Sequence, residues 1–416
     1  MPHPSILQCR GDHRAAYGFY ASFSVALTTP ASDQLAPIVV IGGGFAGLST
    51  ALAFRHVHPR PPVVLIEPRE RFVFVPLLYE LLSGELQGWE VAPTYASLLQ
   101  GRGISHVQDH VKSIDLKART LQTASAQTLH YSQLVIATGA QPADFGIQGV
   151  HEHALRFHTL SDLAPLRQCL QQVTLRPSGS STLVIAGAGA TGVELACKLF
   201  DMLDGAAAIQ LVELGEQILP RSRAFNREQA QRALEKRGIT VRLNTRVDAV
   251  SPTSVNLHGP EGAVTLAHDG LIWTAGSRPK IPDLSPAVTL QGGRLPVTSA
   301  LRLESHPEVM VLGDIAIHAS HDEASNWPLS AQAAIQQGQF AAKGLQAHLN
   351  GGDPEPFIFR DLGEMLSLGV GDASLTGLGI TLAGPLAFKL RRLTYLTRLP
   401  GLSLGLKAAG AWLVSP

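Results

Sequence analysis

Apolar and polar positions along the chain predict one short series of elements twice. Residues 38–41, Ile-Val-Val-Ile, form an apolar run that ends directly in Gly42-x-Gly44-x-x-Gly47. Leu48 to Phe54, rich in Ala and Leu, suits a helix. Pro61 and Pro62 break the chain, and Val63 to Ile66 reads as a strand ending in Glu67. Farther on, Thr182 to Ala186 runs into Gly187-x-Gly189-x-x-Gly192, Val193 to Leu203 reads as a helix, and Ile209 to Val212 as a strand ending in Glu213. Strand, glycine turn, helix, strand, acid is the order that binds a dinucleotide.

Each residue type has its own reason. The first glycine permits the tight turn. The second lets the backbone approach a pyrophosphate at the helix N-terminus. The third lets helix and strand pack closely. The acid accepts ribose hydroxyls. Two such sites suit one resident flavin and one nicotinamide dinucleotide, so that hydride passes between stacked rings. Glu213 welcomes a free 2′-hydroxyl and repels a 2′-phosphate, which favours NADH over NADPH, although Arg221 and Arg223 lie downstream as a counterweight.

Three further apolar runs end in small-residue turns: residues 131–140 at Thr138-Gly139, residues 268–279 at Gly276, and residues 308–315 at Gly313-Asp314. This order predicts an α/β chain of two Rossmann-like domains, the second inserted in the first. The first covers 37–150 and 288–355, the second 151–287. Residues 356–416 form a C-terminal unit, and residues 1–36 a disordered leader, or the consequence of a start codon set too far upstream.

Composition narrows the classes. Lys plus Arg and Asp plus Glu are 33 each, against the basic surplus of a nucleic-acid binder. Charged residues make up 16% and mean hydropathy is +0.13, which fits a surface partly held against something apolar, or a large core. The three cysteines, Cys9, Cys169 and Cys197, include no CxxC pair. That argues against a zinc ribbon, an iron–sulfur site or a dithiol flavoenzyme. His318 and His321 have no surrounding ligand set, so no metal is expected.

With these motifs in place the chain resembles the type II NADH:quinone oxidoreductases over residues 37–416. It is closest to the cyanobacterial and plastid branch of demethylphylloquinone reductase. Arg71 to Glu85, Leu362 to Gly369 and Lys389 to Pro400 carry the closer likeness. The resemblance implies that Gly42, Gly44, Phe45, Ala46, Gly47 and Glu67 bind the ADP half of FAD. It implies that Thr138 and Gly139 close on the diphosphate, and that Gly313 and Asp314 hold the ribityl chain. Gly187, Gly189, Thr191, Gly192, Glu213 and Gly276 would hold NADH or NADPH, with Glu194 near the nicotinamide. Ala331 to Gly338 matches the family's AQxAxQxG segment, whose glutamines line a quinone pocket. Gln332 and Gln336 also share one helix face by spacing alone, and their amides can bond a flavin carbonyl or a quinone oxygen. Glu194, Gln332 and Gln336 are therefore the candidate catalytic residues.

The resemblance further implies an isoprenoid quinone as substrate, a peripheral place on a thylakoid or plasma membrane at its cytoplasmic or stromal-equivalent face, and a homodimer as a common assembly. Residues 373–416 carry five basic residues and no acid. Leu386 to Leu399 reads as a helix with Leu386, Leu390 and Leu393 on one side and Arg391 and Arg398 on the other. It suits an interfacial anchor or a helix packed on the first domain. Tyr79 and His158 can relay protons, with core packing the plainer role. Two rivals stand beside this reading: another flavoenzyme of the same architecture, and a nucleotide-sensing interaction protein that uses the tail to bind a partner.

Overall fold

The computed structural model describes residues 36–320, 327–352, 355–400 and 402–414. The leader, Cys9 and His321 lie outside the described residues.

Two sheets organise the chain, both parallel except for the antiparallel edge strand 302–303 of the first. The first has six strands in the order 302–303, 306–311, 133–136, 38–41, 63–66, 104–107. The second has five, in the order 240–242, 207–212, 181–186, 270–273, 155–156. In each, the strand entering the glycine turn lies between the strand that ends in the acid and the strand that ends in a small-residue turn. Ile38 to Ile41 are at most 3% exposed. Both faces of the sheet are covered, which explains why these strands read as unbroken apolar runs. The second sheet is built entirely from residues between 155 and 273, and strand 306–311 then pairs with 133–136 in the first.

Helix α1 (Phe45–Ala53) leaves the first glycine turn and α2 (Leu78–Leu82) follows in the same unit. Helix α3 (Ala190–Leu203) leaves the second turn, and α4 (Ala224–Lys236) packs beside it. Helix α5 (Ala331–Leu349) returns to lie against α1. A carbon added at Gly338 of α5 would stand 2.3 Å from the Ala46 carbonyl oxygen, so this position needs glycine for the two helices to touch.

The C-terminal unit begins with a three-stranded antiparallel sheet, 364–367, 373–377 and 380–383. Helices α6 (Pro385–Arg398) and α7 (Leu402–Val414) follow. Its strands rest on α3 and α4 of the second unit. No helix among the described residues is long and apolar enough to cross a membrane.

Candidate functional site

The two glycine turns repeat each other in detail. A carbon added at Gly47 would lie 1.8 Å from the Gly42 carbonyl oxygen, and one at Gly192 1.8 Å from that of Gly187. Gly42 and Gly187 have φ of +93° and +103°, where a side chain is strained. Gly44 and Gly189 are different. Their φ values, −66° and −69°, suit any residue, and an added carbon meets nothing within 4 Å at either. The fold itself does not demand glycine there. Open space over the first amides of a helix is room for an anionic group.

The acids repeat as well. Glu67 Oε2 accepts the Gly43 amide at 2.7 Å, and Glu213 Oε2 accepts the Ala188 amide at 2.6 Å. Burial pushes the Glu67 carboxyl up, but the Arg69 guanidinium and the Gly43 amide outweigh it and hold the group below its usual range. The other Glu213 oxygen accepts the Gly215 amide at 2.8 Å. Arg223 does not offset Glu213. Its guanidinium pairs with Asp361 at 2.6 Å and its amide donates to Glu364 at 3.0 Å.

The small-residue turns cross close to both sites. A carbon on Gly42 would meet the Ala137 carbonyl oxygen at 2.4 Å, and one on Gly187 the Ala275 amide nitrogen at 2.8 Å. The Thr138 hydroxyl donates to the Lys280 carbonyl, and the Lys280 amide to the Gly139 carbonyl at 2.9 Å. Gly276 faces the Phe145 ring. The Gly313 amide donates to Gln337 Oε1 at 2.7 Å. Burial raises the Asp314 carboxyl above its usual range, against Arg294 and His158. Gly313, Asp314, Ser330, Ala333, Ala334 and Gln337 line one small cleft, where the Ser330 hydroxyl caps α5 by accepting the Ala333 amide at 3.2 Å.

Gln332 and Gln336 share a face of α5, and both amides meet the backbone. Gln332 donates to the Gly363 carbonyl at 3.0 Å and accepts the Leu362 amide at 2.7 Å. Gln336 donates to the Arg360 carbonyl at 2.8 Å and accepts its amide at 3.0 Å. Each side chain pairs with the backbone like a neighbouring strand and holds residues 360–363 in place. Each amide keeps one N–H and one lone pair outside this pairing. The amide that faces the cleft is Gln337, which spacing from Gln332 does not single out.

Glu194 is the centre of a buried cluster drawn from all three units. Its Oε1 accepts the Ser367 amide at 2.7 Å and stands 4.0 Å from Arg391 Nη2. Arg391, fully buried, pairs through Nη1 with fully buried Glu80 on α2 and donates through Nη2 to the Pro76 carbonyl at 2.7 Å. Its guanidinium lies 4.8 Å from the centre of the Tyr395 ring. Tyr79 packs on Phe157 and lies beside Glu194 and Thr191. One turn along α3, the buried Lys198 ammonium meets Glu85 at 2.5 Å. Burial pushes the Glu194 carboxyl up to about 7, against Arg391 and the Ser367 amide. Phe45 joins this cluster to the first turn: its ring stacks edge-on with Phe72 and Phe74, and Phe74 with Tyr395.

Sequence reading missed Glu80 and Lys198, and set Arg391 on the outer face of its helix. Signals were present. Glu80 interrupts the apolar run Leu77 to Leu82, and Glu194 and Lys198 stand four apart in the otherwise apolar stretch Val193 to Phe200.

A family model described as pyridine nucleotide-disulphide oxidoreductase matches residues 36–338. A Synechocystis protein named demethylphylloquinone reductase NdbB is 37% identical over 397 residues, which cover 92% of this chain and 97% of that protein. An Arabidopsis thaliana protein named alternative NAD(P)H-ubiquinone oxidoreductase C1 is 31% identical, over 87% of this chain and 78% of its own length. Among solved structures, NDH2 from Plasmodium falciparum in complex with NADH shares the fold at a TM-score of 0.78 and 17% identity, covering 90% of this chain and 96% of its own.

Proposed function

Because the chain belongs to the pyridine nucleotide-disulphide oxidoreductase family, and within it to the type II NAD(P)H:quinone oxidoreductases, we propose that it carries two electrons from NADH, by way of FAD, to a membrane naphthoquinone such as demethylphylloquinone. The doubled glycine turn carries this reading: two sites, each with its own acid and its own open amides, fit two dinucleotides. FAD fits the first, held by Gly42, Gly44, Gly47, Glu67, Thr138, Gly139, Gly313 and Asp314. NADH fits the second, at Gly187, Gly189, Thr191, Gly192, Glu213 and Gly276. Glu213 at that site, with Arg223 engaged by Asp361, favours a free 2′-hydroxyl over a 2′-phosphate.

When bound, the flavin accepts hydride from NADH and passes two electrons to the quinone. The chain supplies the rest. The amides over Gly44 and Gly189 hold pyrophosphate, and Glu67 and Glu213 orient ribose. Glu194 holds a proton near neutral pH, as reduction of a quinone requires, with Tyr79 beside it. Gln332 and Gln336 fix residues 360–363 over α5, so they act by positioning. The double variant Gln332→Leu/Gln336→Leu is expected to slow quinone reduction about tenfold, the effect of about 1.4 kcal/mol of lost alignment, and to leave reduction by NADH unchanged. Rapid-mixing traces of the two half-reactions test this; an unchanged quinone step rules out the clamp.

The tail reads as a membrane contact on the cytoplasmic or stromal-equivalent face. On α6 Arg391 points inward with Ala387 and Phe388, whereas Leu386 and Leu393 are each 58% exposed. Leu378, Ile380 and Leu406 are exposed with them, beside exposed Lys389 and Lys407. An apolar face among cations suits an anionic lipid surface. Leu386→Ser with Leu393→Ser is expected to weaken co-sedimentation with anionic vesicles about tenfold or more. Undiminished binding would place the contact elsewhere.

A further inference from the structure

The buried cluster around Glu194 holds more charge than one proton donor needs, and its arrangement has a consequence for that donor. Five ionisable groups of opposite signs meet in it. Lys198 is taken by Glu85. Arg391 lies between two carboxylates and is shared unequally, in direct contact with Glu80 and 4.0 Å from Glu194. Counted as a set, Lys198 and Arg391 balance Glu80 and Glu85. Glu194 then fits the buried cluster without surplus charge only when it carries its proton.

We propose that Glu80 is a positioning residue that keeps Glu194 protonated by drawing Arg391 to itself. The proposal rests on the reading of Glu194 as proton donor to the quinone. The groups facing Glu194 are few. Helix α2 offers Tyr79 and Glu80. Helix α6 offers Arg391 and Tyr395. Its own helix offers Cys197 one turn on, and Lys198, which is engaged with Glu85. The tail strand offers only the Ser367 amide. Tyr79, Tyr395 and Cys197 are each held neutral well above neutral pH, mainly by burial. Arg391 and Glu80 are thus the charged neighbours that decide the balance at Glu194, and they act in opposite directions.

Removing them in turn gives opposite signs. In Glu80→Gln, the repelling charge is gone and Arg391 is free to turn to Glu194, so the proton is lost at lower pH. In Glu80→Gln/Arg391→Met, both charges are gone and burial is opposed only weakly, by the Ser367 amide, so the proton is held to higher pH. Loss of packing alone does not produce such a reversal.

The test is a pH series on the flavin-loaded protein with two readouts. One is the infrared band of a protonated buried carboxylic acid, assigned by its absence in Glu194→Gln. The other is the rate of flavin reoxidation by a soluble naphthoquinone. Glu80→Gln is expected to move both midpoints down by about one pH unit or more, and the double variant to move both above the parent. Should Glu80→Gln fail to fold, the double variant against the parent still reads the sign. Midpoints that stay at the parental pH in every folded variant overturn the proposal while leaving Glu194 as the donor. A pH dependence of reoxidation that survives in Glu194→Gln overturns the donor reading itself, and with it the proposal.

Discussion

Gly44→Val is expected to give a folded protein that holds no flavin, and Gly189→Val a folded, yellow protein that NADH no longer reduces. Most glycine substitutions in such turns are uninformative, because they break the fold. At Gly47 and Gly192 a side chain collides with the turn's own carbonyl at 1.8 Å, so loss of cofactor and loss of structure arrive together. Gly44 and Gly189 separate the two. Their backbone angles are ordinary and the space beside them is open. A branched side chain there costs the fold little and occupies the place of a pyrophosphate. Half-saturation with NADH is expected to rise about 100-fold in Gly189→Val, equivalent to roughly 2.7 kcal/mol. The melting midpoint of each variant is compared with that of flavin-stripped parent, since a bound cofactor itself raises the midpoint. Full flavin content in Gly44→Val, or normal reduction of Gly189→Val by NADH, would contradict the assignment of the two sites.

Replacing Glu194 by Gln keeps the shape and removes the proton. The quinone half-reaction is expected to slow about 100-fold, within the usual range for loss of a general acid, while reduction by NADH changes little. The parent enzyme supplies the sign for pH. Burial raises the Glu194 carboxyl to about 7, so its proton is present below that pH and is lost as pH rises through it. Quinone reduction should therefore fall off above about pH 7 in the parent and lose that dependence in Glu194→Gln. Equal slowing of both half-reactions would point to a structural role instead.

The legible parts of this molecule are those whose cause is local. A strand, a glycine turn, a helix and an acid follow one another within about 30 residues, and each imposes its own residue type. Both strand–turn–helix–strand units, each closed by its acid, could therefore be read from Gly42 to Glu67 and from Gly187 to Glu213. What stayed hidden depends on partners far along the chain. Periodicity puts Arg391 on the polar face of α6; it is buried because Glu80, 311 residues earlier, waits beneath it. The leucines that look like the packing face are left outside. Gln332 and Gln336 carry the right chemistry for a ring, yet their amides meet the backbone of 360–363, a contact that spacing within α5 cannot show. Gln337 reaches Gly313 for the same reason: tertiary packing, not period, decides which side of α5 faces the turn.

The central claim is a two-electron passage from NADH to a quinone, and the flavin's own absorbance follows it. Under anaerobic conditions, the purified protein is mixed with one equivalent of NADH and then with a demethylated naphthoquinone in detergent. Bleaching by NADH followed by rapid recovery with the quinone is the result this account predicts. Bleaching without recovery would leave the two nucleotide sites standing and contradict the quinone assignment.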